Sequence, residues 1–133
     1  MNAQLGQRIV IGETRGFKQV EVESISHILC EDYLCTLYLI NKAEPIVCSK
    51  SLNHFGQVLP PASFVRIHHN AIVNLRCVRE VHCVGRQRQA IMADGMALPV
   101  SVRRWPAFRD ALRAHTLAAQ TDTLAGQTDT PTR

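Results

Sequence analysis

The sequence predicts a mainly β chain, a β-rich α+β unit with one short internal helix and one C-terminal helix. Three observations carry this. Apolar and polar residues alternate along Phe17-Lys18-Gln19-Val20-Glu21-Val22-Glu23, the period of a half-buried strand. Other apolar runs are short and separated by turn-forming pairs such as Gly85-Arg86 and Asp94-Gly95. Helical spacing replaces strand spacing in only two places, around residues 51–59 and again near 108–115.

The elements follow in chain order. Arg8-Ile9-Val10-Ile11 is short and β-branched, and Phe17–Glu23 and Ile25–Cys30 continue the strand pattern. Tyr33–Ile40 is the longest candidate strand, and a polar turn at Asn41–Glu44 leads to Ile46-Val47-Cys48, as in a meander of hairpins. Leu52, Phe55 and Leu59 then fall at helical spacing, with Ser49 or Ser51 as a cap and Pro60-Pro61 as a stop. Phe64–His68 reads as a brief strand and His69–Leu75 as a loop with a helical turn, in which Asn74 holds the turn through its side chain. Val78–Val84 and Gln87–Met92 flank Gly85-Arg86 as a hairpin. Asp94-Gly95 turns the chain into Met96–Val100, and the last helix begins after Trp105, with Pro106 in its first turn. Beyond His115 the chain becomes Thr-rich and repeats Gln-Thr-Asp-Thr at 120 and 127. Such a stretch buries too little apolar surface to offset its ordering entropy. The expected organisation is therefore an N-terminal extension over 1–7, a folded domain over 8–115 and a disordered tail over 116–133.

Composition removes several classes of function. The 133 residues are 46% hydrophobic and 20% charged, as in an ordinary globular domain. A membrane-spanning helix needs about 20 consecutive apolar residues, and runs such as Leu37–Ile40 are far shorter. The N-terminus lacks a basic region followed by an apolar one, so a secretory signal is not expected and a cytoplasmic location is. The five cysteines, Cys30, Cys35, Cys48, Cys77 and Cys83, are odd in number and loosely spaced. They read as small buried hydrophobes rather than a disulfide framework or a zinc site. No metal, cofactor, membrane or small-molecule ligand is expected.

Charge is distributed unevenly. The net charge is +4. Residues 1–62 hold five bases against six acids, whereas residues 63–115 hold nine arginines, no lysine and three acids. Arginine presents a planar fork that matches phosphate oxygens and the edge of guanine. A basic half of this kind is the electrostatic footprint of a nucleic-acid binder.

The most specific signal lies in two stretches. Phe64-Val65-Arg66-Ile67-His68-His69-Asn70-Ala71-Ile72-Val73-Asn74 is followed twenty residues later by Asp94-Gly95-Met96-Ala97-Leu98-Pro99-Val100-Ser101-Val102-Arg103-Arg104. Together these resemble the LytTR family of bacterial DNA-binding domains, with its F-x-R-I-H-x-S-x-[IV]-V-N and D-G-x-x-[LI]-P-V-S-x-R patterns. The resemblance extends over residues 8–115. It implies short antiparallel sheets rather than a helix-turn-helix, with loops entering successive major grooves of double-stranded DNA. It also implies transcription regulation related to two-component systems. Such domains commonly follow a phosphate-accepting receiver, for which 133 residues leave no room, so a stand-alone form is expected.

On this resemblance the base-contacting positions match His69 and Arg103, with Asn70 beside the first. His69 departs from the Arg or Asn common there, and Asn70 from the usual Ser. Histidine can still donate to guanine or phosphate, and Asn can pair with adenine. Arg66, Arg86, Arg88 and Arg104 are the expected phosphate contacts, which position a protein without reading sequence. Arg66 is read as facing away from the core toward an acid or a phosphate, and His68 as a structural residue. The loop containing Glu31, Asp32 and Tyr33 matches a further contact loop, although its two acids would repel phosphate.

The leading expectation is a sequence-specific transcription regulator acting on double-stranded DNA, with a second copy on repeated half-sites left open. The alternative is an interaction module that keeps the fold and pairs with a full-length regulator. An enzyme is not expected. No local arrangement activates Cys77 or Cys83, and there is neither a carboxylate pair nor a phosphate-cradling loop.

Overall fold

The computed structural model describes residues 7–13, 15–41 and 44–122. A first hairpin pairs β1 (Arg8–Glu13) with β2 (Gly16–Glu21). A central five-stranded antiparallel sheet follows, built from β3 (Ile25–Glu31), β4 (Leu34–Leu39), β5 (Ile46–Cys48), β6 (Phe64–His68) and β7 (Ala71–Asn74). Its strands lie in the order β5-β4-β3-β7-β6. A third sheet contains β8 (Val78–Val84), β9 (Gln87–Met92) and β10 (Ala97–Val100), in the order β10-β9-β8. Helix α1 (Leu52–Val58) lies between β5 and β6, and helix α2 (Trp105–Asp122) ends the described chain. This is the expected mainly β fold with two helices.

The central sheet separates two apolar cores. Ile28 and Ile72 face a core that includes Ile11 and Val20 from the first hairpin and Leu52, Phe55 and Leu59 from and just after α1. Ala71 and Val73, their neighbours on the opposite face, pack with Met92, Leu98, Val100 and Phe108. This arrangement corrects the sequence reading of His69–Leu75. Ala71–Asn74 is a strand between β3 and β6, not a loop. Both of its faces are covered and all four residues are buried, so the alternation that reveals a half-buried strand is missing. The helical turn is real but begins later, at Leu75–Cys77. Asn74 holds it as expected: its Oδ1 accepts from the Arg76 amide at 3.0 Å, while its Nδ2 donates to the Ile25 carbonyl at 2.9 Å.

Local chemistry explains the element ends. Ser51 caps α1 by accepting from the His54 amide at 3.1 Å, satisfying one of the donors a helix start leaves open. Gly95 adopts a φ of 93°, a conformation that suits glycine, and Asp94 Oδ1 accepts from the Met96 amide at 3.0 Å. Helix α2 starts at Trp105 itself, whose amide donates to the Ser101 carbonyl at 3.0 Å. It runs to Asp122, seven residues past the expected domain end at His115. The remainder of the expected tail, 123–133, lies outside the described residues, as do 1–6 of the expected N-terminal extension.

The cysteine reading is corrected in two respects. Cys30 and Cys35 form a disulfide, and Cys83 is exposed, while Cys48 and Cys77 are buried thiols. The register explains the bond. Glu31 pairs with Leu34 around a two-residue turn, so Cys30 and Cys35 face each other across β3 and β4. A spacing of five looks loose along the chain but is direct across a tight hairpin.

Candidate nucleic-acid interface

Three chain segments converge at one end of the central sheet. They are the β3–β4 turn at Asp32-Tyr33, the segment Ser49–Asn53 leading into α1, and the β6–β7 turn at His69-Asn70. Together they line a concavity of about 500 Å³ that brings Asp32, Tyr33, Arg66, His69 and Asn70 to one place. These five lie in two separate stretches of the sequence, 32–33 and 66–70. Ser49, Lys50 and Asn53 line the same concavity. The sequence reading missed Lys50 and Asn53 and considered Ser49 only as a cap. The signal was available, since a basic residue flanked by polar ones precedes a helix start.

Each turn has a local cause. Asp32 holds a φ of 56°, a left-handed conformation that Asp tolerates better than most residues. The residue type at 32 therefore suits the turn's backbone apart from any charge its side chain presents. The turn leaves Tyr33 88% exposed. The His69-Asn70 turn is fastened through three successive carbonyls. Arg66 Nε donates to the His68 carbonyl at 3.2 Å and Nη2 to the His69 carbonyl at 2.6 Å. The Cys30 amide donates to the Asn70 carbonyl at 2.9 Å. Arg66 Nη1 reaches Asn53 Oδ1 at 2.8 Å. Within the chain the partners of Arg66 are thus carbonyl and amide oxygens, not an acid, which was one of the two partners read from sequence. Burial, and next the nearby charge of Arg104, pulls the Arg66 guanidinium below its ordinary pKa. The His68 and His69 rings lie 4.4 Å apart, and His68 Nδ1 is buried with no partner among the described residues. His68 contributes to the turn through its backbone carbonyl, which accepts from the Arg66 side chain.

The turn between β10 and α2 joins this end of the molecule. Its Ser101 amide donates to the Ile67 carbonyl at 2.9 Å, which ties the turn to β6 beside the His69 turn. Ser101 Oγ accepts from the Arg104 amide at 3.3 Å. The segment in between exposes Val102 and Arg103, and among the described residues no acid pairs with Arg103 or Arg104. Arg86 and Arg88 sit at and next to the β8–β9 turn, where Arg88 pairs in register with Val100. Arg86 is exposed. Arg88 is partly occupied within the protein: its guanidinium lies over the Trp105 ring and Nη1 donates to the Arg86 carbonyl at 3.1 Å. Of the remaining middle arginines, Arg79 pairs with Glu80 and Arg109 with Asp110. The basic half is therefore not uniform. Arg86, Arg103 and Arg104 present charge without an acid partner, whereas Arg66 and Arg88 make defined internal contacts.

Among the described residues there is no group of His, Cys, Asp or Glu side chains able to hold a metal ion, and no helix is long and apolar enough to cross a membrane.

Comparison with known proteins agrees with this geometry. The family model of the LytTr DNA-binding domain matches residues 15–113. Among solved structures, the fold is similar to the LytTr DNA-binding domain of a protein described as a methyl-accepting/DNA response regulator from Bacillus cereus. That match has a TM-score of 0.68 and 23% identity, covering 79% of this chain and 95% of the other. No curated protein is similar enough to be matched. Since the family match takes in both sequence motifs and all three converging segments, this chain belongs to the LytTr DNA-binding domain family.

Proposed function

We propose that this chain is a sequence-specific regulator of transcription that binds double-stranded DNA in the cytoplasm through loops rather than a recognition helix. The observation that carries the reading is the Ser101–Ile67 bond, which ties the turn bearing the exposed Arg103 to β6, the strand that leads into the His69-Asn70 turn. In this reading His69, Asn70 and Arg103 contact base edges, where arginine pairs with guanine and asparagine with adenine. Arg86 and Arg104 meet phosphates, with Arg88 adding charge from its seat on Trp105. The role needs no cofactor and no catalytic step.

Band shifts with genomic fragments at two salt concentrations test it. Binding that neutralises several phosphates weakens steeply as salt rises. Absence of any shift at low salt overturns the reading. Selection from a random DNA pool then gives the preferred site, and the spacing of half-sites shows whether two copies bind together.

A second reading has one observation in its favour. Glu31 and Asp32 line the same concavity as His69 and Asn70, next to the highly exposed Tyr33. An acidic rim with an exposed aromatic suits a protein partner better than a phosphate. An interaction module that pairs with a full-length regulator would leave every DNA fragment unshifted.

A further inference from the structure

We propose that Arg66 is a positioning residue, a clamp that sets the backbone of the His69-Asn70 turn against Asn53 and so fixes what that turn can read. The inference rests on the DNA-binding reading above and deepens it.

The geometry carries the assignment. Arg66 pairs with Ile72 and His68 with Ala71, so Ile67 is an extra residue that bulges β6 just before the turn. Bulges re-aim side chains and are common beside functional loops. From there, one edge of the guanidinium, Nε with Nη2, spans the successive carbonyls of His68 and His69. The opposite nitrogen, Nη1, holds Asn53 Oδ1 in the first turn of α1. One planar fork therefore links two segments that border the same concavity. A phosphate contact can be kept by lysine, which still brings a positive charge within reach. Three acceptors in two directions need the fixed fork, which lysine lacks. The clamp also orients its carbonyls inward. With the Asn70 carbonyl held by the Cys30 amide, the turn presents its side chains, rather than free carbonyl oxygens, to whatever docks on it.

The test compares Arg66→Lys and Asn53→Ala with wild type, using Arg86→Ala as the phosphate-contact comparator. Asn53 is exposed, so its truncation leaves the core intact, and far-ultraviolet circular dichroism checks each fold. The first readout needs no DNA: backbone amide relaxation at His69 and Asn70. Both clamp variants are expected to raise mobility there. The second is site selection with salt titration. Arg66→Lys and Asn53→Ala should lower the preference for the best site over random DNA by about tenfold, the scale of one lost base contact, with the salt slope unchanged. Arg86→Ala should instead reduce the slope by about one and leave the preference alone. The clamp is overturned if the His69 and Asn70 amides stay rigid in both variants. It is also overturned if Arg66→Lys retains full base preference, since charge alone would then suffice. If the turn loosens in both variants but wild type never prefers one DNA over another, the clamp stands and the DNA-binding reading fails.

Discussion

Arg88 lies over the ring of Trp105, with 4.8 Å from the guanidinium carbon to the ring centre. This contact joins β9 to the first residue of α2, and Trp105 in turn meets Phe108 edge-on at 6.1 Å. A cation over an indole contributes about 0.5–1 kcal/mol where solvent still reaches the pair. Arg88→Ala should therefore lower the unfolding free energy by about that amount, read as a reduced urea midpoint at constant m. Its effect on DNA should be an even loss of affinity across sequences. A changed base preference would rule out the anchoring role.

Arg103 differs from Arg88 because nothing among the described residues holds its guanidinium. It projects from a turn fixed at both ends, by the Ser101 amide on Ile67 and by Ser101 Oγ on the Arg104 amide. Arg103→Ala should weaken binding to the best site by about 1–3 kcal/mol and relax the choice of base at one position. The fold should be unaffected, because the side chain is exposed. Titration of the selected site against single-base variants measures both effects. Affinity within twofold of wild type would remove Arg103 from the interface.

These residues show which features could be read from sequence. Strands with one wet face announced themselves by alternation, and the hairpins by their Gly85-Arg86 and Asp94-Gly95 turns. Ala71–Asn74 did not, because burial on both faces erases the period. The Cys30–Cys35 bond was hidden for a related reason: cross-strand adjacency depends on register, which the spacing alone leaves open. At the site, residue types marked out a basic half of the chain but not the partners of each arginine. Whether Arg66 meets a phosphate or two carbonyls is decided by a bulge one residue away, and a bulge has no sequence signature of its own here. The acid at Asp32 looked unsuitable beside DNA until its left-handed backbone gave it a structural reason.

His27 makes stability depend on pH. It is buried on β3, stacked on Tyr38 with ring centres 4.6 Å apart, with Nδ1 2.8 Å from Ser26 Oγ and Nε2 3.2 Å from Met96 Sδ. Burial lowers its pKa from the ordinary 6.5, and the charge of Asp94 opposes this only in part. Between the lowered folded value and 6.5 the unfolded chain holds the proton more strongly, so stability rises with pH across that window. Acidification from neutral pH should thus remove the His27 contribution progressively, with no further loss from this group once pH passes below the folded value. His27→Gln should flatten that part of the profile, whatever its effect on stability at neutral pH. Urea unfolding of both proteins at a series of pH values from neutral into the acid range measures the difference. Parallel profiles would remove His27 as a source of the pH dependence.

The Cys30–Cys35 bond closes a very short loop, the turn that carries Asp32 and Tyr33. The chain entropy removed by so small a loop corresponds to about 2 kcal/mol. Purified under air, the protein should therefore label at three cysteines when unfolded and alkylated without reductant, and at all five after reduction. Reduction should lower the unfolding free energy by no more than about 2 kcal/mol, and the double variant Cys30→Ser with Cys35→Ser should lose its response to reductant. Cys48 sits opposite Cys35 on the next strand, as Cys30 does on the other side. It is the control that separates this pairing from an alternative one. Cys48→Ser should leave both the labelling difference and the reductant response in place. Their disappearance in Cys48→Ser would mean that the bond in solution joins Cys35 to Cys48 instead.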